Sequence, residues 1–194
     1  MRKEDRQSSE AGVTLIEILF VVFIVALLTT AILVSVNRFR ISARDTQRVA
    51  AIKQLEVALR LYYDRNNGTF PTPTGPLYAG WEPSFAANFM EYLNSYIAVV
   101  PTDPTNSGPP TGMLSPRPDG TFFLAYQRYA SGSTFGCTWT SPFAVLGFRT
   151  LEGNGVAGLP QASCGGNPTC PSGGTNNVCR NWSDTLDYSI FLIE

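Results

Sequence analysis

The sequence contains no histidine, which removes Ser-His and Cys-His nucleophile pairs and most transition-metal chemistry together. No glycine-rich loop stands between a strand and a helix to cradle phosphate. Asp103, Asp119, Asp184 and Asp187 do not fall at EF-hand spacing and read as isolated surface acids. These absences argue against an enzyme, and neither cofactor nor metal is expected. Two further absences bear on structure. Residues 13–36 hold no Lys, Arg or His, and no proline or glycine interrupts residues 13–67.

Residues 13–36 instead form an apolar run of 24 residues carrying one carboxylate, Glu17. As a helix the run would reach about 36 Å, enough for a hydrocarbon core of about 30 Å. It is longer than the roughly 7–15 apolar residues of a secretory signal, and no small-residue cleavage site follows it, so it is expected to stay on the mature chain. An acidic side chain at mid-bilayer costs roughly 2.5–3.5 kcal/mol, less near an interface, so Glu17 calls for a partner. The run offers no cation. Cutting after Gly12 would create one, as a free amine at Val13.

The segment Gly12-Val13-Thr14-Leu15-Ile16-Glu17, behind a short hydrophilic stretch and ahead of an apolar helix, resembles the processing motif of the type IV pilin and pseudopilin family. The resemblance implies that a prepilin peptidase cuts between Gly12 and Val13 and methylates the new amine, with Glu17 left as the fifth mature residue. It also implies assembly into a helical homopolymer by a platform and ATPase machinery, Glu17 meeting the terminal amine of a neighbouring subunit. Further stretches extend the likeness. Arg44-Asp45-x-x-Arg48, Ala58-Leu59-x-x-Tyr62-Tyr63 and Asn67-Gly68-x-Phe70-Pro71 resemble the R-D-x-x-R, A-L-x-x-Y-Y and N-G-x-[Y/F]-P signature of bacterial pilins. Val100-Pro101-Thr102-Asp103-Pro104, the Tyr126 and Tyr129 pair, and the F-x-V-L-x-x-x-x-L-E stretch from Phe143 to Glu152 resemble the family's head. Many members carry a glycine and a proline within the apolar helix; Ala26 and Val34 stand there instead.

The expected fold class is α+β: a long N-terminal helix, transmembrane in its first half, on a small antiparallel sheet head with a disulfide-stapled C-terminal loop region. The segments are a leader at 1–12, a membrane and filament-core helix at 13–36 and an amphipathic extension at 37–65. An αβ-loop with a short helix follows at 66–120, then a sheet head with a cysteine loop at 121–194. Val49, Ile52, Leu55, Leu59 and Tyr62 recur at helical spacing, and Asn66-Asn67-Gly68 supplies a stop. Beyond Pro71 the composition reads as a loop-rich connector rather than a second core. Glu82-Pro83-Ser84 offers a helix start that would put Phe85, Phe89, Tyr92, Leu93 and Tyr96 on one face. Residues 121–129, 143–151 and 187–193 read as strands.

Cys137, Cys164, Cys170 and Cys179 form an even set in a chain expected to be exported, so two disulfides are expected, by one of three pairings. Gaps of five and eight residues without histidine do not suit a zinc finger. Asn67-Gly68-Thr69 and Asn181-Trp182-Ser183 fit the glycosylation pattern and read as chance. Charge is dipolar. Residues 37–65 hold seven Lys/Arg against three acids, and residues 66–194 hold four Arg against eight acids, so stems and heads of different subunits would attract. Counting Lys and Arg around the apolar run favours a cytoplasmic C-terminal side. The cysteines and processing motif outweigh that count, giving a single-pass protein of the cytoplasmic membrane with its head outside, then a cell-surface pilus. The competing readings are a secretion pseudopilin or minor pilin, and a non-polymerising adhesin or DNA-binding module whose basic stem contacts phosphates.

Overall fold

The computed structural model describes residues 12–74, 80–108, 120–153, 159, 164, 182 and 185–194. It contains one long helix, α1 (Leu15–Arg65), and a four-stranded antiparallel sheet in the order β1-β2-β3-β4. The strands are β1 (Glu82–Pro83), β2 (Leu124–Tyr129), β3 (Phe143–Phe148) and β4 (Tyr188–Ile193). The expected α+β class is met at this level. The chain forms two compact units, Met1–Arg40 and Ile41–Glu194, and the sheet belongs to the second.

Within the second unit α1 is amphipathic: Ala51, Ile52, Leu55, Ala58 and Leu59 are buried on one face while Lys53, Gln54, Val57 and Arg60 are exposed. That face packs on Leu124 and Tyr126 of β2, Ala144, Leu146 and Phe148 of β3, and Tyr188 and Leu192 of β4. The helix ends at the expected place. Asn67 (φ 55°) and Gly68 (φ 70°) are left-handed, and the Gly68 amide donates to the Tyr63 carbonyl at 3.1 Å, the six-to-one bond of a Schellman cap. The Asn66 side-chain amide donates to the Tyr62 carbonyl at 2.7 Å, satisfying another orphan acceptor.

The alternate strand positions do not face water. Phe123 and Ala125, Phe143 and Val145, together with Trp81, Tyr129, Trp182 and Leu186, make a second buried cluster that also holds Cys137 and Cys164. All six residues of β3 are buried, as a strand covered on both faces must be. The expectation of a connector without a second core is therefore corrected: the loop segments after Pro71 and after β3 supply aromatic side chains to the far face of the sheet.

A second correction concerns residues 82–96. Glu82–Pro83 is an edge strand (Glu82↔Tyr126, Pro83↔Ala125) rather than a helix start, a position where proline's missing donor costs nothing. Helix is confined to one 3-10 turn, Glu91–Leu93. Met90 adopts φ 51° and gives its amide to the Glu82 carboxylate at 2.9 Å, so it cannot donate within a helix. Phe89 and Leu93 still reach the helix-side core, whereas Phe85 joins the far cluster. The strands are shorter than expected. Phe122 makes an isolated bridge to Ser107, and β3 ends before Arg149, whose guanidinium donates to the Thr185 carbonyl at 2.6 Å.

Gly147 faces the far cluster where β3 and β4 approach; a Cβ there would lie 2.2 Å from the Tyr188 carbonyl oxygen. Gly147→Ala is expected to cost about 1–3 kcal/mol or more through forced strand separation. The check is the thermal midpoint of the detergent-solubilised full chain, and an unchanged midpoint would contradict the packing described.

Candidate functional site

The N-terminal candidate is built on the first turn of α1. Thr14 is the N-cap: the Glu17 amide donates to its hydroxyl at 3.3 Å and to its carbonyl at 3.1 Å. Thr14-Leu15-Ile16-Glu17 thus has the T-x-x-E spacing of a capping box, with Glu17 in the turn where the helix dipole favours an anion. Val13 is two-thirds exposed, and a Cβ placed on Gly12 would meet no atom within 4 Å among the described residues.

Beyond Glu17 every residue through Arg40 whose side chain is described is exposed, including Leu15, Ile18, Phe20, Val22, Phe23, Leu27 and Ile32. This is one helix long and apolar enough to cross a membrane. Two of its hydroxyls are satisfied internally: those of Thr29 and Thr30 donate to the Val25 and Leu27 carbonyls at 2.7 and 2.8 Å. A helix apolar on all sides needs lipid or other helices around it.

A second site lies in the other unit. Arg48 is fully buried on α1, with Nη1 donating to Asp45 at 2.7 Å, Nε to Asp103 at 2.7 Å and Nη2 to Glu152 at 2.7 Å. Arg44 forks onto the same Glu152 carboxylate. Asp45 also accepts from the Glu152 and Gly153 amides, and Asp103 from the Thr105 and Asn106 amides. Phe122 stacks on the guanidinium, 4.8 Å from its ring centroid. Burial pushes the Arg48 pKa down, but the hydrogen bonds it donates to Asp103, Glu152 and Asp45 outweigh it and hold the group cationic. The Arg44 hydrogen bond, then that of Arg48, lowers Glu152 to about 2.

Compared with models of known protein families, with curated proteins and with solved structures, the chain matches none of them.

The structure distributes the residues singled out in the sequence over several places. Gly12, Val13 and Glu17 lie together at the helix start. Cys137 and Cys164 are bonded, their Cα atoms 4.4 Å apart, inside the far aromatic cluster; Cys170 and Cys179 lie outside the described residues. Asp103 is not a surface acid but the buried partner of Arg48. Asp187 accepts from the Leu151 amide at 2.8 Å, and Asp119 and Asp184 lie outside the described residues. The ion cluster as a unit was missed. Its signal was present, because Arg44-Asp45-x-x-Arg48, the V-P-T-D-P stretch and the L-E at the end of the F-x-V-L stretch supply Asp45, Arg48, Asp103 and Glu152 between them. Three short motifs, each read as family likeness, meet at one cation.

Asp103→Ala would leave Arg48 buried and short of a partner and is expected to cost about 3–5 kcal/mol in urea unfolding. Arg44→Gln, at a side chain one-third exposed, is expected to cost clearly less. Equal losses for the two would mean that burial does not set the strength of the cluster. Glu152, depressed from 4.5 to about 2, contributes stability that is complete above pH 4.5 and lost as pH falls toward 2. Buried Glu82 has the opposite sign: desolvation raises it, against the Met90 amide and Tyr92 hydroxyl, so its contribution is present at low pH and lost as pH rises through the raised value. Melts against pH should therefore show Glu152→Gln flattening the acid limb and Glu82→Gln leaving it in place.

Proposed function

We propose that this chain is a precursor subunit of a type IV pilin-like filament. Cleavage after Gly12 exposes Val13, whose amine is methylated; the helix from Val13 to Val36 anchors the subunit in the cytoplasmic membrane with the sheet head outside; assembly machinery then draws it into a homopolymer. The observation that carries this reading is a capped helix start with an exposed Gly12-Val13 junction and a single carboxylate, at the head of a helix apolar on every described side.

The chemistry is that of burial. In the membrane the apolar side chains are solvated by lipid; in a filament they are covered by copies of themselves. Glu17 is then the one charge in that core, and the Val13 amine of a neighbour neutralises it. An unpaired charge there costs several kcal/mol, so the pair enforces axial register.

The test is expression of the full chain with a prepilin peptidase, followed by tandem mass spectrometry of the mature N-terminus. Methylated Val13 is the expected product; an intact Met1 or a cut beyond Val36 would return the chain to an ordinary signal anchor. Glu17→Gln keeps the capping-box residue type and removes the charge, so it is expected to be processed normally and to stop or impair filament growth by electron microscopy. Normal filaments from Glu17→Gln would reduce the residue to a helix cap.

A further inference from the structure

The seven cations of residues 37–65 are not equivalent. Arg44 and Arg48 are held by Glu152, Asp45 and Asp103, Arg60 is paired with Glu56 at 2.8 Å, and Arg65 lies over the Tyr96 ring at 5.7 Å. Arg38 and Arg40 are exposed, and no acid occurs between Glu17 and Asp45. Between them stands Phe39, 73% exposed. These residues follow directly on the apolar run.

Successive helical residues are about 100° apart, so Asn37, Arg38, Phe39 and Arg40 complete one turn and point to all sides of the axis. That arrangement selects among partners. A docked protein touches one face of a helix and would be served by cations three or four residues apart. Lipid headgroups surround a helix and are met by a ring. Arginine reaches a phosphate with two parallel donors while its stem stays in the apolar layer, and an aromatic ring between two arginines suits the same depth.

We infer that Asn37-Arg38-Phe39-Arg40 is a collar that binds the phosphates of anionic phospholipid headgroups and holds the unassembled subunit at the outer surface of its membrane. The inference rests on the membrane reading above. It also accounts for a charge distribution that otherwise opposes that reading: the basic flank lies on the outer side, where anionic lipid offsets it. The subunit leaves the membrane only by breaking these contacts.

The test uses the full chain in mixed vesicles of phosphatidylcholine and phosphatidylglycerol, with spin-labelled versions of each lipid read by electron paramagnetic resonance. The association constant of labelled phosphatidylglycerol is expected to exceed that of labelled phosphatidylcholine by about fivefold at low salt. High salt and the Arg38→Gln/Arg40→Gln variant should each reduce the ratio toward one, and Lys53→Gln, exposed and some 22 Å further along the helix, should leave it unchanged. A ratio of one for the parent chain, or an excess that survives in the double variant, would overturn the inference. So would a double variant that keeps the lipid excess but fails to form filaments, which would assign these arginines to the acidic head of a second copy. Carbonate extraction separates the two readings: a chain released from the vesicles refutes membrane insertion itself, whereas a retained chain without lipid preference refutes the collar alone.

Discussion

Arg48 is a cation with no exposed surface, and three segments far apart in the sequence are arranged around it. Removing such a group from water costs several kcal/mol, which no single carboxylate recovers once its own desolvation is counted. The cluster meets that cost by saturation. Each nitrogen of the Arg48 guanidinium has an oxygen partner, and the surplus negative charge of three acids against two arginines is spread onto the backbone amides of Glu152, Gly153, Thr105 and Asn106. The hydrophobic face from Ala51 to Leu59 supplies adhesion between helix and sheet, but burial is not directional. Arg48 supplies the direction, since the loop bearing Asp103 and the turn bearing Glu152 have to be where their oxygens meet the guanidinium.

Helix α1 obeys two solvents. In residues 41–65 most of its apolar side chains, Ala51, Ile52, Leu55, Ala58 and Leu59 among them, fall on one face that the sheet covers, while Val57 and Leu61 stay exposed. In residues 15–40 they fall on every described side, a surface far larger than a soluble monomer leaves open. The second unit has two buried clusters of its own, one on each face of the sheet. Charge follows the same division: Arg44, Arg48 and Arg60 are paired with acids of the chain, and Arg38 and Arg40 have no ion-pair partner among the described residues.

What was legible in the sequence was what depends on near neighbours. The uninterrupted helix, its stop at Asn66-Asn67-Gly68, the amphipathic spacing of Ile52, Leu55 and Leu59, and three of the four strands all arise from propensity and periodicity. The strand at Glu82–Pro83 was not legible, because two residues carry no period and the helix signals around them are genuine; pairing with Tyr126 and Ala125 overrode them. The far core was hidden for a related reason. Its members Trp81, Phe85, Tyr129 and Trp182 are scattered among glycine- and proline-rich stretches, and their convergence is a property of the closed sheet. The ion cluster lay between these cases, since its residues were visible in short motifs while their meeting required separations of up to 108 residues.

The start of α1 shows how a local and a distant demand fall on one side chain. Thr14 satisfies the Glu17 amide, and a carboxylate near a helix N-terminus gains about 0.3–1 kcal/mol from the dipole. That gain is smaller than the cost of taking the same carboxylate out of water among apolar side chains, which is several kcal/mol. Capping alone therefore does not explain a charged residue at this position, because the Thr14 hydroxyl, or a glutamine in place of Glu17, would serve the helix without the penalty. A full positive charge within a few ångströms removes the deficit, and residues 13–36 contain none. Under the proposed function the amine that cleavage would create at Val13 of an adjacent copy would supply it, and the energetics of this one carboxylate, once taken into an apolar core, would link helix capping to processing and to self-association.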